Sequence, residues 1–162
     1  MIVLPESIKF VITDFDGIVT DNCVYIGANG EMSRKLNFKD VMGFSILRKN
    51  GYRMGIISGE KNSAIEIISK KFNVEEVHQG IRVKIDVIKS IVERYNLSEE
   101  EFVYIGDDSL TYAKYRVTVP DAVDKIKNIK DIQITEARGG DGAFREVVDA
   151  LMSTSVDCKH KF

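Results

Sequence analysis

Three features are scarce in this 162-residue chain, and each scarcity excludes a class of protein. It has only two cysteines, Cys23 near the start and Cys158 in the tail, which form no cluster with metal-ligand spacing. We expect two free thiols in a reducing cytoplasm. No apolar run approaches the roughly 20 residues that a helix needs to cross a bilayer, so we expect no membrane partner. The net charge is only −2, which gives no electrostatic reason to expect nucleic acid as a partner.

The remaining composition is that of an ordinary globular protein. Hydrophobic residues make up 44% of the chain and charged residues 30%, and 162 residues suffice for one domain with a substantial core. Residues 1–6 lack a basic segment followed by a long apolar run, so we expect no secretion signal and a cytoplasmic location. Within a single domain at 1–162, a hairpin insert is predicted at about 21–39 and a polar tail at about 153–162.

Short apolar strands alternate with amphipathic helices along most of the chain. Strands are predicted at 8–13, 54–57, 76–78, 102–105, 116–119 and 132–134. Helices are predicted at 43–50, 63–72, 83–95, near 122–129, and at 143–151. This alternation predicts the α/β class, a doubly wound parallel sheet with helices on both faces. An Asn-Gly turn at 29–30, between strand-like runs at 24–26 and 33–38, predicts the small β-hairpin.

The first predicted strand runs directly into Asp14-Phe15-Asp16-Gly17. Two carboxylates at alternate positions where a strand ends can be aimed at one point, and they repel unless a cation or a shared proton offsets them. Mg²⁺ prefers oxygen ligands of this kind and usually also binds substrate phosphate. The alternative is a polar corner between strand and loop that carries no chemistry.

Other polar signals follow later strands or begin a later helix. Ser58-Gly59 ends the second long strand, Asp107-Asp108 follows another, and Lys84 begins the longest amphipathic helix. Ligands of open parallel sheets bind at the carboxyl ends of the strands, where these residues are predicted to meet. A phosphoryl group needs such a set: a nucleophile, a cation, hydrogen-bond donors and a fixed positive charge. Taken alone, Lys84 is equally compatible with a solvated surface lysine.

In that order the chain resembles the haloacid dehalogenase superfamily of phosphotransferases, whose four motifs are matched by residues 14–20, Ser58-Gly59, Lys84 and 106–108. The resemblance implies that Asp14 is the nucleophile, forming an aspartyl-phosphate, and that Asp16 is the general acid and base. It implies that Ser58 and Lys84 hold the phosphate. It also implies Mg²⁺ bound by Asp14, the main-chain carbonyl of Asp16, and Asp107.

A narrower resemblance is to the capless 3-deoxy-octulosonate 8-phosphate phosphatase family, which includes relatives acting on nine-carbon 2-keto sugar acid 9-phosphates. It is carried by the hairpin in place of a cap domain, by Gly30-Glu31, by residues 38–40 and by the glycine-rich segment 138–146. It implies a phosphorylated sugar acid as substrate and a homotetramer built by the hairpin, in which a neighbouring subunit closes the site. It also places the segment beginning at Arg138 near the site, where the alternative is a plain loop.

Two positions bear on which sugar acid is bound. The octulosonate branch usually has arginine directly after Ser58-Gly59, but this chain has Glu60, with Lys71 a helix-length later. That pattern resembles the nine-carbon branch. A glutamate favours hydroxyl or amine partners, whereas an arginine would bind a sugar carboxylate in bidentate fashion. Lys71 could meet the carboxylate instead, and the alternative is that both residues are surface charges.

The chain also departs from the family pattern. Thr111 stands where a third acid is usual, and Asp40-Val41 replaces the usual Asp-Gly pair. These changes leave open a second function, a catalytically weak or inactive oligomerisation module of the kind attached to sugar-nucleotide synthetases. A receiver-like phospho-acceptor domain is a third alternative, but its aspartate lies on a middle strand and the motif order here fits poorly.

Overall fold

The computed structural model describes residues 1–106 and 112–154, so the predicted positions Asp107, Asp108, Thr111 and Cys158 lie outside the described residues. The strands are β1 (Phe10–Thr13), β2 (Tyr25–Ile26), β3 (Met32–Ser33), β4 (Arg53–Ile57), β5 (Glu76–His78), β6 (Phe102–Ile105), β7 (Tyr115–Thr118) and β8 (Gln133–Ile134). The helices are α1 (Phe38–Lys49), α2 (Ser63–Phe72), α3 (Lys84–Arg94), α4 (Asp124–Lys127) and α5 (Ala143–Thr154). None of the helices in the described residues is both long enough and apolar enough to cross a membrane.

The main sheet is parallel throughout the described part of the chain, with strand order β5-β4-β1-β6-β7-β8. β1 lies between β4 and β6, and Thr13 pairs with Ile56 on one side and Ile105 on the other. The chain proceeds from β1 to β4 in one direction and later returns to β6 in the other, so β1 marks the switch point of the sheet. The predicted α/β doubly wound fold is confirmed.

The core lies on both faces of the central strands. Every residue of β1 and β6 is buried, as expected for a parallel sheet that is covered on both sides. On one side α1 packs against α5, and the rings of Phe44 and Phe144 stack with centroids 4.4 Å apart. A side chain at Gly43 would place its Cβ 2.9 Å from the Phe144 ring, so this glycine permits the close approach of the two helices.

The connection from the hairpin to α1 differs from the prediction. The second hairpin strand is Met32–Ser33 rather than 33–38, and α1 begins at Phe38 rather than at residue 43. The helix begins early because Asn37 is its N-cap, where the side chain accepts a 2.9 Å hydrogen bond from the Lys39 N–H. The earlier start brings Asp40 into the first turn of α1, and its side chain is buried.

Candidate active site

A buried ion pair lies at the carboxyl end of β1. Lys84 Nζ is 2.7 Å from Asp14 Oδ2, and each side chain is 5% exposed. The other carboxylate oxygen, Oδ1, accepts a 2.7 Å hydrogen bond from the Phe15 N–H. The Asp14 N–H continues the β1–β6 ladder by donating to the Ile105 carbonyl at 2.8 Å. The backbone of Asp14 is therefore fixed by the sheet, and its carboxylate is fixed by the Phe15 N–H and the buried Lys84 ammonium.

Lys84 reaches this position because of its place on α3. The residues of α3 that are buried, Lys84, Ile88 and Ile91, recur at positions i, i+4 and i+7, which share one helix face. Lys84 is the first residue of the helix and stands at the carboxyl edge of the sheet, so its ammonium extends toward the end of β1. The predicted meeting of Lys84 with Asp14 is observed, and the reading of Lys84 as a surface lysine is wrong.

Ser58 directly follows β4, the strand next to β1, and it lies at the same edge of the sheet as Asp14. Thr13 is opposite Ile56, so Asp14 and Ser58 follow adjacent strand ends. Ser58 is buried, and its hydroxyl oxygen accepts a 3.2 Å hydrogen bond from the Glu60 N–H. Gly59 and Glu60 are exposed in the turn that follows. The predicted Ser58-Gly59 segment therefore lies at the same edge as Asp14.

The second aspartate of the motif is held by two donors. Asp16 Oδ1 accepts a 2.8 Å hydrogen bond from Arg34 Nε and a 3.0 Å bond from the Thr20 hydroxyl. The Arg34 side chain is 8% exposed and belongs to the segment after β3. Sequence reasoning missed Arg34, because a contact across 18 residues depends on how the hairpin folds back over the loop.

A second ion pair joins the base of the hairpin to the same loop. Lys35 Nζ is 3.2 Å from Asp21 Oδ2, and the Lys35 side chain is 55% exposed. Partial burial of Asp21 opposes ionisation, but the Cys23 N–H and the Lys35 ammonium outweigh it and keep the pKa of Asp21 below its ordinary value. The segment from Asp16 to Asp21 is therefore linked to the hairpin at two points, through Arg34 and through Lys35.

The glycine-rich C-terminal segment packs directly against the backbone of this loop. A Cβ at Gly139 would lie 1.9 Å from the Gly17 carbonyl oxygen, and one at Gly140 would lie 2.3 Å from the Asp21 nitrogen. The Gly140 N–H donates to the Ile18 carbonyl at 2.9 Å. Only residues without a side chain permit this approach, so the segment is a backbone support for the loop rather than a plain linker.

Asp40 joins the C-terminal segment to α1. Its carboxylate accepts hydrogen bonds from the N–H groups of Gly142 at 2.9 Å and Arg145 at 3.1 Å, at the start of α5. Burial raises the pKa of Asp40 above its ordinary value, and the backbone N–H donors only partly offset that effect. This aspartate therefore caps α5. The cap uses the Asp40 side chain, so it does not require the glycine that usually stands at the position of Val41.

Two predicted substrate-binding residues, Lys71 and Arg138, are exposed. Lys71 is exposed near the C-terminal end of α2, and its carbonyl accepts a 3.3 Å hydrogen bond from Arg48, which is near the C-terminal end of α1. Helices that connect parallel strands end at the amino edge, so within one chain Lys71 is not brought to the site. Arg138 is exposed, and it directly precedes the buried Gly139 that packs against the loop.

The donors at this edge are suited to a hard divalent cation. The Asp14 carboxylate and the Asp16 main-chain carbonyl are oxygen donors of the kind Mg²⁺ accepts, while Lys84 compensates part of the acidic charge. Among residues 1–106 and 112–154, no group of three or more acidic, histidine or cysteine side chains is gathered in a metal-binding arrangement. The third predicted ligand, Asp107, lies outside those residues. The described donors therefore fit the ion but do not complete its ligand set.

Comparison with known proteins gives consistent relatives across nearly the whole chain. The 3-deoxy-D-manno-octulosonate 8-phosphate phosphatase of Haemophilus influenzae is 29% identical over 152 residues, covering 91% of this chain and 84% of the relative. A solved structure of the cobalt-bound enzyme of that name from the same organism is 28% identical, with a TM-score of 0.84, and covers 93% of this chain and 90% of its own.

A third relative is similar over a still larger share of its length. A solved structure described as a haloacid dehalogenase family hydrolase from Streptomyces avermitilis is 30% identical, with a TM-score of 0.85, and the match covers 97% of this chain and 98% of that one. No protein-family model matches the chain. With this likeness, the shared fold and the Asp14–Lys84 pair, the chain belongs to the haloacid dehalogenase superfamily, and it is similar over nearly its whole length to 3-deoxy-octulosonate 8-phosphate phosphatases.

Proposed function

We propose that this chain is a Mg²⁺-dependent phosphatase that hydrolyses the phosphate ester of a 2-keto-3-deoxy sugar acid. The observation that carries the proposal is the buried pair of Asp14 and Lys84, 2.7 Å apart at the switch point of the sheet. A nucleophilic carboxylate and a fixed positive charge are thereby held together where phosphate would bind. The relatives named as phosphatases and the cobalt-bound relative support both the reaction and a divalent ion.

In the first step, an oxygen of the Asp14 carboxylate attacks phosphorus and the bond from phosphorus to the sugar oxygen breaks. Asp16 gives its proton to the departing alkoxide, so the leaving oxygen of the sugar acid departs as a neutral hydroxyl group. Lys84 and the Ser58 hydroxyl are placed to stabilise negative charge on the phosphoryl oxygens. Bound Mg²⁺, held by Asp14, the Asp16 carbonyl and Asp107, would supply further positive charge to those oxygens.

In the second step, water attacks the phosphorus of the aspartyl-phosphate. Asp16, now ionised, accepts a proton from that water, and the bond between phosphorus and the Asp14 oxygen breaks. Inorganic phosphate is released, Asp14 is again a carboxylate and Asp16 is again protonated. Both residues therefore return to their starting states after each turnover.

We further propose that the preferred substrate is a nine-carbon sugar acid 9-phosphate rather than the eight-carbon 8-phosphate. The support is Glu60, which stands exposed in the turn after Ser58-Gly59, where its carboxylate is available to hydroxyl or amine groups of a ligand. This glutamate stands where the octulosonate branch usually has arginine, and the pattern resembles that of the nine-carbon branch.

A side-by-side assay of 2-keto sugar acid phosphates tests both proposals. Phosphate release is expected with millimolar Mg²⁺, and the nine-carbon 9-phosphates should give a higher kcat/KM than 3-deoxy-octulosonate 8-phosphate. Glu60→Arg, which restores the residue usual in the octulosonate branch, is expected to shift the ratio of kcat/KM about tenfold toward the eight-carbon substrate. Glu66→Arg, at an exposed position of α2, makes the same change of charge outside the turn and serves as the matched control.

Three results would count against these proposals. Undiminished hydrolysis in EDTA would contradict the divalent ion, and a preference for the eight-carbon ester would contradict the substrate assignment. A folded protein that is inert toward every ester would favour the non-catalytic oligomerisation module instead.

We also propose that copies of the chain associate through the hairpin, as a homotetramer. The support is a group of apolar side chains left exposed there: Val24 (44% exposed), Tyr25 (55%), Ile26 (73%) and Met32 (63%). β2 and β3 are only two residues long, and a hairpin of that size is marginal in water unless another surface covers it.

Replacing Tyr25 and Ile26 with serine is expected to convert the assembly to smaller species, because most of the apolar area available for association is removed. The mass in solution, measured by light scattering after size-exclusion chromatography, reports the change. Val123→Ser is the control, since Val123 is 65% exposed but lies outside the hairpin. A wild-type monomer at micromolar concentration, or an unchanged mass in the double variant, would contradict the proposal.

A further inference from the structure

The contact between Arg34 and Asp16 joins the hairpin to the residue that the proposed reaction uses for proton transfer. Arg34 Nε is 2.8 Å from Asp16 Oδ1, and the two side chains are 8% and 20% exposed. An arginine that is buried to this extent has given up most of its hydration, so a specific partner is needed to compensate. Asp16 provides that partner.

The same oxygen of Asp16 is also held from the loop itself. The Thr20 hydroxyl donates to Oδ1 at 3.0 Å, and Thr20 is fully buried. The Thr20 hydroxyl oxygen in turn accepts from the N–H groups of Gly17 and Asn22, each at 3.3 Å. In the described residues, both hydrogen bonds given to the Asp16 side chain fall on Oδ1, so the carboxyl is oriented with Oδ2 as the oxygen toward which a proton can be exchanged.

The neighbouring ion pair of Lys35 and Asp21 connects the hairpin to the loop without contacting the proposed acid. It joins the same two segments at 3.2 Å, but Lys35 is 55% exposed and touches neither oxygen of Asp16. An exposed pair of this kind is screened by solvent and contributes little to stability. Arg34 differs because it is buried and because its partner is the proposed acid.

We propose that Arg34 is a positioning residue that holds Asp16 in the orientation required for proton transfer to the leaving alcohol. The inference rests on the proposed phosphatase function. It predicts a dependence on the leaving group: a sugar alkoxide needs a proton as it departs, whereas a nitrophenolate does not. Loss of Arg34 should therefore slow the hydrolysis of alkyl phosphates far more than that of activated aryl phosphates.

The experiment compares kcat/KM of wild type, Arg34→Ala, Arg34→Lys and Lys35→Ala on three esters: p-nitrophenyl phosphate, phenyl phosphate and the best sugar acid phosphate. kcat/KM reports only steps up to departure of the alcohol, so the later attack by water does not enter. Arg34→Ala is expected to lose about thirtyfold on the sugar ester and at most about threefold on p-nitrophenyl phosphate, with phenyl phosphate between them. Arg34→Lys should recover part of the loss, and Lys35→Ala should keep the wild-type ratio between esters.

A loss that is equal on all three esters would overturn the inference, because a general structural or binding defect does not distinguish leaving groups. No loss on any ester would also overturn it. Should Arg34→Ala fail to fold, Arg34→Gln retains part of the aliphatic stem and a neutral N–H donor, and it is judged by the same ratios. Wild-type protein that is inert toward every ester would overturn the proposed function itself, whereas an active wild type with a uniform loss overturns only the role of Arg34.

Discussion

Asparagine in place of Asp14 is expected to lower kcat for phosphate release by at least about a thousandfold. The amide has nearly the same shape as the carboxylate but cannot form the aspartyl-phosphate, so the two-step route is closed. A steady-state phosphate assay at millimolar Mg²⁺ measures the loss. Phosphate incorporation into the protein, trapped by rapid acid quench, should disappear in parallel.

The same substitution should also cost stability. Asp14 Oδ2 is 2.7 Å from Lys84 Nζ, and both side chains are 5% exposed, so replacing the carboxylate removes negative charge beside a buried ammonium. A cost of about 3 kcal/mol in the free energy of unfolding is expected. Asp21→Asn is the control: its partner Lys35 is 55% exposed and screened by solvent, so the cost there should be much smaller. Full activity of Asp14→Asn would remove the nucleophile assignment, and equal costs for the two variants would show that burial of the Asp14–Lys84 pair is unimportant.

Alanine at Gly140 is expected to destabilise the protein by about 3 kcal/mol or more and to reduce activity with it. Gly140 has φ +67°, and a Cβ there would lie 2.3 Å from the Asp21 nitrogen and 2.5 Å from the Thr20 carbonyl carbon. Both are backbone atoms, so the loop after Asp16 must move to admit the methyl group. Urea unfolding measures the free energy, and kcat reports displacement of the loop.

Gly51 is a closely matched control for Gly140. Its φ is +79°, and a Cβ there would meet nothing within 4 Å. The cost of Gly51→Ala is therefore that of the left-handed backbone alone, about 1 kcal/mol, and kcat should be unchanged. Similar free-energy losses for the two alanine variants would mean that the close approach to the loop is not what requires glycine at position 140.

The sequence predicted well those residues whose positions follow from strand ends or helix faces. Asp14 and Ser58 follow adjacent parallel strands, so the order of the strands brings them together. Lys84 lies on the apolar face of its helix, so the helical repeat of apolar residues places it on the same side. The sheet class followed from the same alternation of strands and helices. Both predictions depend only on local sequence patterns and on the small number of topologies that such sheets adopt.

The misses have equally specific causes. Leu36 and Phe38 alternate with polar residues and suggested a strand, but the Asn37 side chain caps a helix there, and this local hydrogen bond outweighed the alternation. Lys71 stays a prediction: it was linked to the site by resemblance to the nine-carbon branch, and within one chain α2 carries it toward the other edge of the sheet. Arg34 could not be found from pattern, because its contact with Asp16 depends on the three-dimensional path of the hairpin.

The approach of Gly139 and Gly140 to the loop after Asp16 has a consequence for synthesis on the ribosome. Asp14, the proposed nucleophile, and the proposed phosphate-binding residues are translated before the backbone that supports the loop. Contacts between such distant parts of a chain form slowly, since a large loop must close before they are gained. A nascent chain therefore carries Asp14 well before the backbone that supports the loop after Asp16 has been made.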